Sequence, residues 1–441
     1  MKKTISLLLI ALGLSTAAMA QTDTAKAVRE GWTFGVLPSV AFDADLGFQY
    51  GALTNIYYFG DGAIYPEYYH SFYAEAAYTT MHYGLFRLSY DSKYLIKNHR
   101  LSVDLTYLPD KMCDFYGFNG YQTLYHQPWT DASSSQYISR AYYKMQRDLF
   151  RFSGDLQGTI DGNWKWNAGL GILDYRVGSV DVDGLNRGKD DNLLPDTATL
   201  YDHFVEQGYI TTAEKDGGFH PYVHGGITYD SRDRQQNPRR GIHADAFLTY
   251  TAAFGDLSDY NSLKFNAAWR HYLPIIKNRL TFAYRLGTQL NVAGTSPFYV
   301  NTYMNQLYMQ RVLYEGLGGA NSCRGIMRNR ILADGFAYGN IEMRLQVVKF
   351  KVGKELFYIG INPFLDGGMV VQEREWNGFG DLYNDIDFYT NDLHALHLAA
   401  GCGLKVAMND NFVLSVDWAT ALNEQDNGKF SNLYIKMGYM F

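Results

Sequence analysis

Apolar and polar residues alternate with period two along most of this chain. In 338–347, Ile341, Met343, Leu345 and Val347 fall on one face, and Asn340, Glu342, Arg344 and Gln346 on the other. In 396–406, Leu396, Leu398, Ala400, Leu404 and Val406 oppose His397, Gly401, Gly403 and Lys405. Residues 412–419 set Phe412, Leu414, Val416 and Trp418 against Ser415 and Asp417, and 280–289 set Leu280, Phe282, Tyr284 and Leu286 against Arg285 and Gln289. Period two is the signature of strands with one apolar face. The charges on the second face imply a wet interior, as in a barrel whose outer surface meets lipid.

The pattern predicts sixteen strands: 32–41, 46–58, 67–79, 82–92, 98–108, 142–160, 163–177, 219–230, 240–253, 261–273, 278–291, 337–349, 356–370, 394–407, 411–421 and 431–441. An even number leaves both ends in the periplasm. Short turns such as Asp161-Gly162-Asn163 belong on that side, and the long connections 109–141, 178–218, 292–336 and 371–393 on the outside. Closure is required, because an open edge in lipid leaves backbone groups without partners at a cost of roughly several kcal/mol each. The expected class is all-β: a transmembrane antiparallel β-barrel occupying 32–441.

The two ends agree. Residues 1–20 read as a secretory signal, with Lys2 and Lys3, an apolar run from Ile5 to Leu14, and Ala18-Met19-Ala20 before the cleavage point. That run is too short for a membrane helix, which needs ~20 residues. Residues 21–31 form a short periplasmic segment, with no room for a folded domain before the first strand. In the last strand Leu433, Ile435, Met437, Tyr439 and Phe441 share one face. Its Lys436, Gly438 and Phe441 look like the recognition signal read by outer-membrane assembly machinery.

Composition adds aromatic girdles: 37 Tyr, 26 Phe and 7 Trp, with 43 Gly and only 10 Pro. A net charge of −6 gives no reason to invoke nucleic acid. Three cysteines make no disulfide framework. Cys402 sits on an apolar strand face. Cys113 and Cys323 fall in predicted loops, either bridged or separate. No histidine pair has metal spacing and no G-x-S-x-G segment is present, so neither a metal nor a cofactor nor an enzymatic site is expected.

Two segments go beyond a generic barrel. One is Tyr229-Asp230-Ser231-Arg232-Asp233 followed by Asn237-Pro238-Arg239-Arg240-Gly241. The other is Gly318-Gly319-Ala320-Asn321-Ser322-Cys323-Arg324-Gly325-Ile326, followed by Glu342 within Gly339–Arg344 and by Asp366 within Phe364–Gly368. Asp230, Arg232, Asp233, Pro238 and Gly241 would form a turn, its aspartates capping amides and pairing with Arg232 or Arg239. In order and spacing these segments, with Leu37-Pro38 and Asp43–Gly47, resemble the barrel of the bacterial surface antigen family, the superfamily of BamA and TamA.

That resemblance implies a long sixth extracellular loop that folds back into the lumen behind an Arg-Gly-aromatic tip. Here Ile326 replaces the aromatic residue, so aromatic packing at the tip is lost while the arginine is kept. The family's periplasmic transport-associated (POTRA) domains are not expected in this chain. The residues themselves allow Arg324 either to meet the inward Glu342 and Asp366 or to stay solvated in the loop. The inward Lys264, Arg270, Arg285 and Lys405 either pair with inward acids or bias the lumen toward anions. The resemblance points to outer-membrane biogenesis, insertion or transport, with lipid, the assembly machinery and a separate periplasmic protein or lipoprotein as partners. A passive or plugged channel is the competing function. Glycines at Gly35 and Gly438 would weaken pairing between the terminal strands.

Overall fold

Sixteen strands close into one antiparallel barrel. The computed structural model describes residues 28–255, 258–304, 313–353, 355–375, 394–409, 412–427 and 432–441. The leader at 1–20 and most of the 21–31 segment lie outside the described residues, as do parts of the loops at 292–336 and 371–393.

Numbered in chain order, the barrel strands are β1 (Trp32–Asp43), β2 (Gly47–Tyr58), β3 (His70–Thr79), β4 (Gly84–Ile96), β5 (His99–Asp114) and β6 (Lys144–Asp161). Next come β7 (Trp164–Gly178), β8 (Gly218–Asp230), β9 (Gly241–Thr251), β10 (Ser262–Ile276) and β11 (Leu280–Gly294). The set ends with β12 (Gly335–Val352), β13 (Glu355–Gln372), β14 (His397–Met408), β15 (Phe412–Ala421) and β16 (Asn432–Met437). A further two-residue ribbon, Tyr303–Met304 with Leu313–Tyr314, belongs to the sixth loop.

The alternation sorts as period two requires. On β12, Asn340, Glu342, Arg344 and Gln346 are buried in the lumen while Ile341 and Val347 are exposed. Leu404 and Trp418 are likewise exposed on the outer wall, and Lys405 and Asp417 enclosed. Exposed large apolar side chains on the strands, Phe34, Val36, Leu88, Leu170, Val223 and Leu286 among them, form the band that meets lipid.

Three features beyond the sequence expectation bear on function. First, β5 runs to Asp114, so Cys113 lies in a strand and not a loop. Cys113 and Cys323 are separate buried thiols, and Cys402 is exposed on the outer wall. Second, the long loops build a cap over the outer mouth. Phe115, Phe118, Tyr142, Tyr201, Phe204, Phe298 and Tyr299 form one aromatic cluster drawn from the loops after β5, β7 and β11. A helix at Leu200–Glu206, opened by a Thr199–Asp202 capping box, supplies two of these rings.

Third, β16 stops at Met437 instead of continuing to 441. Gly438 adopts φ +84°, a left-handed conformation that side chains resist. The last residues therefore turn away from the expected lipid face and into the lumen. The Tyr439 ring lies 4.1 Å from the Arg344 guanidinium, and that guanidinium donates to the Phe441 backbone oxygen at 2.7 Å.

The wall is uneven as a consequence. β14 and β15 share ten register pairs, β15 and β16 six, but β1 and β16 only one, Phe42 with Ile435.

The outer-wall assignment is open to a direct check. Leu365, midway along β13 and 41% exposed, should tolerate Leu365→Ala but not Leu365→Arg. The arginine is expected to cost ~2–4 kcal/mol near the bilayer midplane, read as unfolding free energy in vesicles. A cost below ~1 kcal/mol would contradict a mid-bilayer position.

Candidate functional site: the loop tip and the seam

The sixth loop, residues 295–334, places its tip inside the barrel. Gly318, Gly319 and Gly325 all take positive φ. At Gly325 a Cβ would come within 2.9 Å of Ala399 and 3.0 Å of Ala419. Only glycine lets the backbone approach the wall there. Ile326 is buried in an apolar cluster with Leu317, Cys323, Ile331, Phe336 and Val370, so aliphatic packing holds the position where the resemblance implied an aromatic.

Arg324 is wholly enclosed. Its Nε and Nη2 donate to the two carboxylate oxygens of Asp366 at 2.8 and 3.1 Å, and its backbone N–H donates to the same group at 3.0 Å. Nη1 lies 2.8 Å from Glu342 and 3.4 Å from Asp417. The guanidinium carbon sits 3.5 Å from the centre of the Phe364 ring. The planar fork matches a carboxylate in this bidentate manner as an ammonium would not.

Lys405 completes Asp417 at 2.5 Å, and Arg344 completes Glu342 at 2.8 Å. Three cations thus face three carboxylates. Burial alone would lower the basicity of Arg324; Asp366 and Glu342 outweigh it and raise it.

The same loop carries two more arginines with separate anchors. Arg328 donates to Asp110 at 2.6 Å and Asp114 at 2.9 Å on β5. Arg330 reaches Asp426 at 3.2 Å and the carbonyls of Gly120 and Thr123 at 2.9 and 3.0 Å. Asp426 also accepts from Tyr121 and meets His397 at 2.8 Å. Burial pushes the Asp426 carboxyl up, but the His397 hydrogen bond and the Arg330 charge prevail and hold it below its ordinary value.

The tip also grips β16. Gly325 N–H donates to the Tyr434 hydroxyl at 3.1 Å, Asn432 donates to the Gly325 carbonyl at 2.7 Å, and Lys436 donates to the Ala320 carbonyl at 2.7 Å. Three successive inward residues of the seam strand are therefore tied to the loop, while its outer neighbour β1 contributes one register pair.

The other sequence-predicted positions lie at the periplasmic end. Arg232 pairs with both oxygens of Asp230 at 2.9 and 2.8 Å, and Asp233 accepts from the amides of Arg239 and Arg240 at 3.0 and 3.3 Å. Pro238 is buried, and Gly241 opens β9. Neighbouring Asn237 donates to the Tyr358 hydroxyl at 2.8 Å, and that hydroxyl lies 3.4 Å from Tyr439. The turn and the folded-in tail meet beneath the lumen. This turn stays apart from the Arg324 cluster.

The sequence reading named Arg324, Glu342 and Asp366 but not Asp417 as their partner, nor Arg328, Arg330, Asp110, Asp114 and Asp426. The signal was present: three arginines within seven residues, 324–330, in a loop expected inside a barrel. Of the four inward cations, Arg270 meets Asp245 at 2.6 Å and Lys405 meets Asp417. Lys264 donates to Asn301 at 2.6 Å, and Arg285 to Asn340 and to the Asn321 and Ser322 carbonyls of the tip.

A closed sixteen-stranded outer-membrane wall with an arginine-tipped sixth loop held inside defines the class. The Omp85 superfamily domain model matches residues 43–441, and the chain belongs to that superfamily. Membership implies the outer membrane. No curated protein sequence matches the chain.

Among solved structures the chain resembles BamA from Haemophilus ducreyi lacking POTRA domains 1–3. The TM-score is 0.57 at 14% identity, covering 99% of this chain and 78% of that one. It also resembles CdiB from Escherichia coli, with TM-score 0.52 and 10% identity over 95% of this chain. It spans 64% of the length of that CdiB chain. At these identities the likeness is one of fold.

Two outcomes test the cluster. Arg324→Ala should destabilise the barrel by ~3–5 kcal/mol, because it leaves enclosed carboxylates unpaired. Asp366→Asn should return part of that loss. Additive single and double variants in urea unfolding would rule out the coupling.

Because the folded Asp426 carboxyl titrates below its free value, its contribution is complete above about pH 4 and disappears as pH falls through the lowered value. Asp426→Asn should flatten unfolding temperature against pH in that acid range. An unchanged slope would contradict the assignment.

Proposed function

We propose that this chain works in outer-membrane biogenesis or transport, by parting its wall between β1 and β16 to admit substrate to the bilayer. The observation that carries this reading is the single Phe42–Ile435 register pair, in a barrel whose other neighbouring strands share at least six. Main-chain pairing is what keeps lipid from backbone polar groups, so the thinnest pairing marks the cheapest place to open. The loop tip holds β16 from within through Asn432, Tyr434 and Lys436. Release of the tip and parting of the seam are therefore linked steps.

No chemistry on the substrate is needed, and the chain acts without enzymatic turnover or cofactor. Lys436, Gly438 and Phe441 serve as its own assembly signal. A separate periplasmic protein or lipoprotein delivers substrate, and affinity isolation from native membranes is the route to it.

Phe42 and Ile435 face each other, so Phe42→Cys with Ile435→Cys, in a Cys402→Ser background, can lock the seam. Vesicles holding the reduced protein are expected to speed the folding of a small outer-membrane barrel precursor. Oxidation should abolish the gain, and a reductant should restore it. Equal rates for locked and unlocked protein would exclude lateral opening.

The enclosure of Arg324 favours one alternative, a plugged channel. Its mark would be conductance that appears only on deleting residues 310–330, with precursor folding indifferent to the lock.

A further inference from the structure

The outer face of the barrel is not uniformly convex. Across β9, β10 and β11, one outward row consists of Ala246, Ala267 and Thr288, directly paired in register. Ala337 on β12 extends the row. Ala244 lies one outward position below, beside Trp269. The rows to either side are large: Leu248 and Phe265 above, Trp269 and Leu286 below. Ile227 and Trp164 close the near end.

The result is a trough of about 480 Å³, lined almost wholly by apolar atoms. Two interstrand spacings, from Ala246 to Thr288, make its floor ~10 Å long. Thr288 offers no free donor to the trough, since its hydroxyl is given to the Phe336 carbonyl at 3.0 Å.

We propose that this trough is a binding site for one acyl chain of a phospholipid in the periplasmic leaflet. It continues the lipid-facing band, so lipid is the medium that covers it. Its near end begins at Trp164, the first residue of β7 after the periplasmic turn at 162–163, with the Tyr229 ring 5.0 Å away. Indole and phenol side chains settle at the bilayer interface, where one end is apolar and the other wet. From there the floor runs across the strands, from Ala246 on β9 through Ala267 on β10 to Thr288 on β11. Arg240, exposed in the periplasmic turn just before β9, puts a positive charge on that side of the wall for a phosphate.

Here a tail meets a floor of small residues and the side chains of Trp269, Leu286, Ile227 and Trp164, and these are fixed by the sheet before the lipid arrives. That preformed shape lowers the ordering cost of binding. The site lies across the barrel from the seam and does not depend on the seam's opening.

The test uses the whole protein in phosphatidylethanolamine vesicles with increasing amounts of a dibrominated-acyl phosphatidylglycerol, or of its zwitterionic counterpart. Bromine quenches a tryptophan that its chain touches, and the Trp269 signal is the difference from Trp269→Phe. A saturating phase at low mole fraction is expected. Ala246→Leu with Ala267→Leu should fill the trough and raise the half-quenching concentration about tenfold, a change of ~1.4 kcal/mol. Both substitutions face lipid, and heat-modifiable migration verifies folding. Loss of the preference for phosphatidylglycerol in Arg240→Gln would assign the headgroup contact. Quenching that merely follows the bulk mole fraction in both proteins would overturn the proposal. So would cross-linking of Ala246→Cys between two copies, which would give the trough to a second barrel.

Discussion

A wall of sixteen strands encloses more space than its own inward side chains can fill. Something must occupy the lumen or water will run through it. Here the occupant is a loop whose backbone polar groups and three arginines need partners away from bulk solvent, and that requirement organises the rest. Arg324 fixes the inner faces of β12, β13 and β15; Arg328 fixes the end of β5; Arg330 fixes the caps above β5 and β15. Each contact matches a guanidinium with carboxylate or carbonyl oxygens, which is how charge survives enclosure. The aromatic cap over the mouth then shields the assembly from outside.

Much of this was legible because a strand's period is two and lipid imposes strict alternation. Inward placement of Glu342 and Asp366 followed from counting along 338–347 and 364–368, and the fold class followed from the same count. The tail misled the count because alternation cannot report a bend. Tyr439 and Phe441 keep the apolar phase of β16, yet Gly438 turns them inward to Arg344. Asp417 was recognised as inward, but nothing local relates it to a loop 93 residues earlier. Cys113 misled for a simpler reason: a register shift between Asp110 and Cys113 breaks the alternation although pairing with β6 continues.

The two ends of the seam strand are treated differently by the chain. Its upper inner face belongs to the loop tip, and its lower end is drawn under the lumen by Arg344, beside the turn that carries Asn237. β1 receives what is left. A weak junction in this barrel is therefore not a lack of interactions at β16. It is a diversion of them from the neighbouring strand to the interior. Family membership and the BamA-like fold give this arrangement its setting, while the particular partners, Asn432, Tyr434 and Lys436, belong to this sequence.

The enclosure of the tip also constrains the order of folding. Gly325 meets Tyr434 across 109 residues, and Arg328 meets Asp110 across 218. The pocket that receives Arg324 is made of β12, β13 and β15, and its floor of β16, so it does not exist until the last five strands of the sheet have formed. The β5 anchor of the same loop lies on the far side of the chain's sequence. Such distant contacts repay their loop-closure entropy only when nearly everything else is in place. Folding of this barrel is thus governed by its most non-local element, and the loop must be seated while the wall is still open enough to receive it.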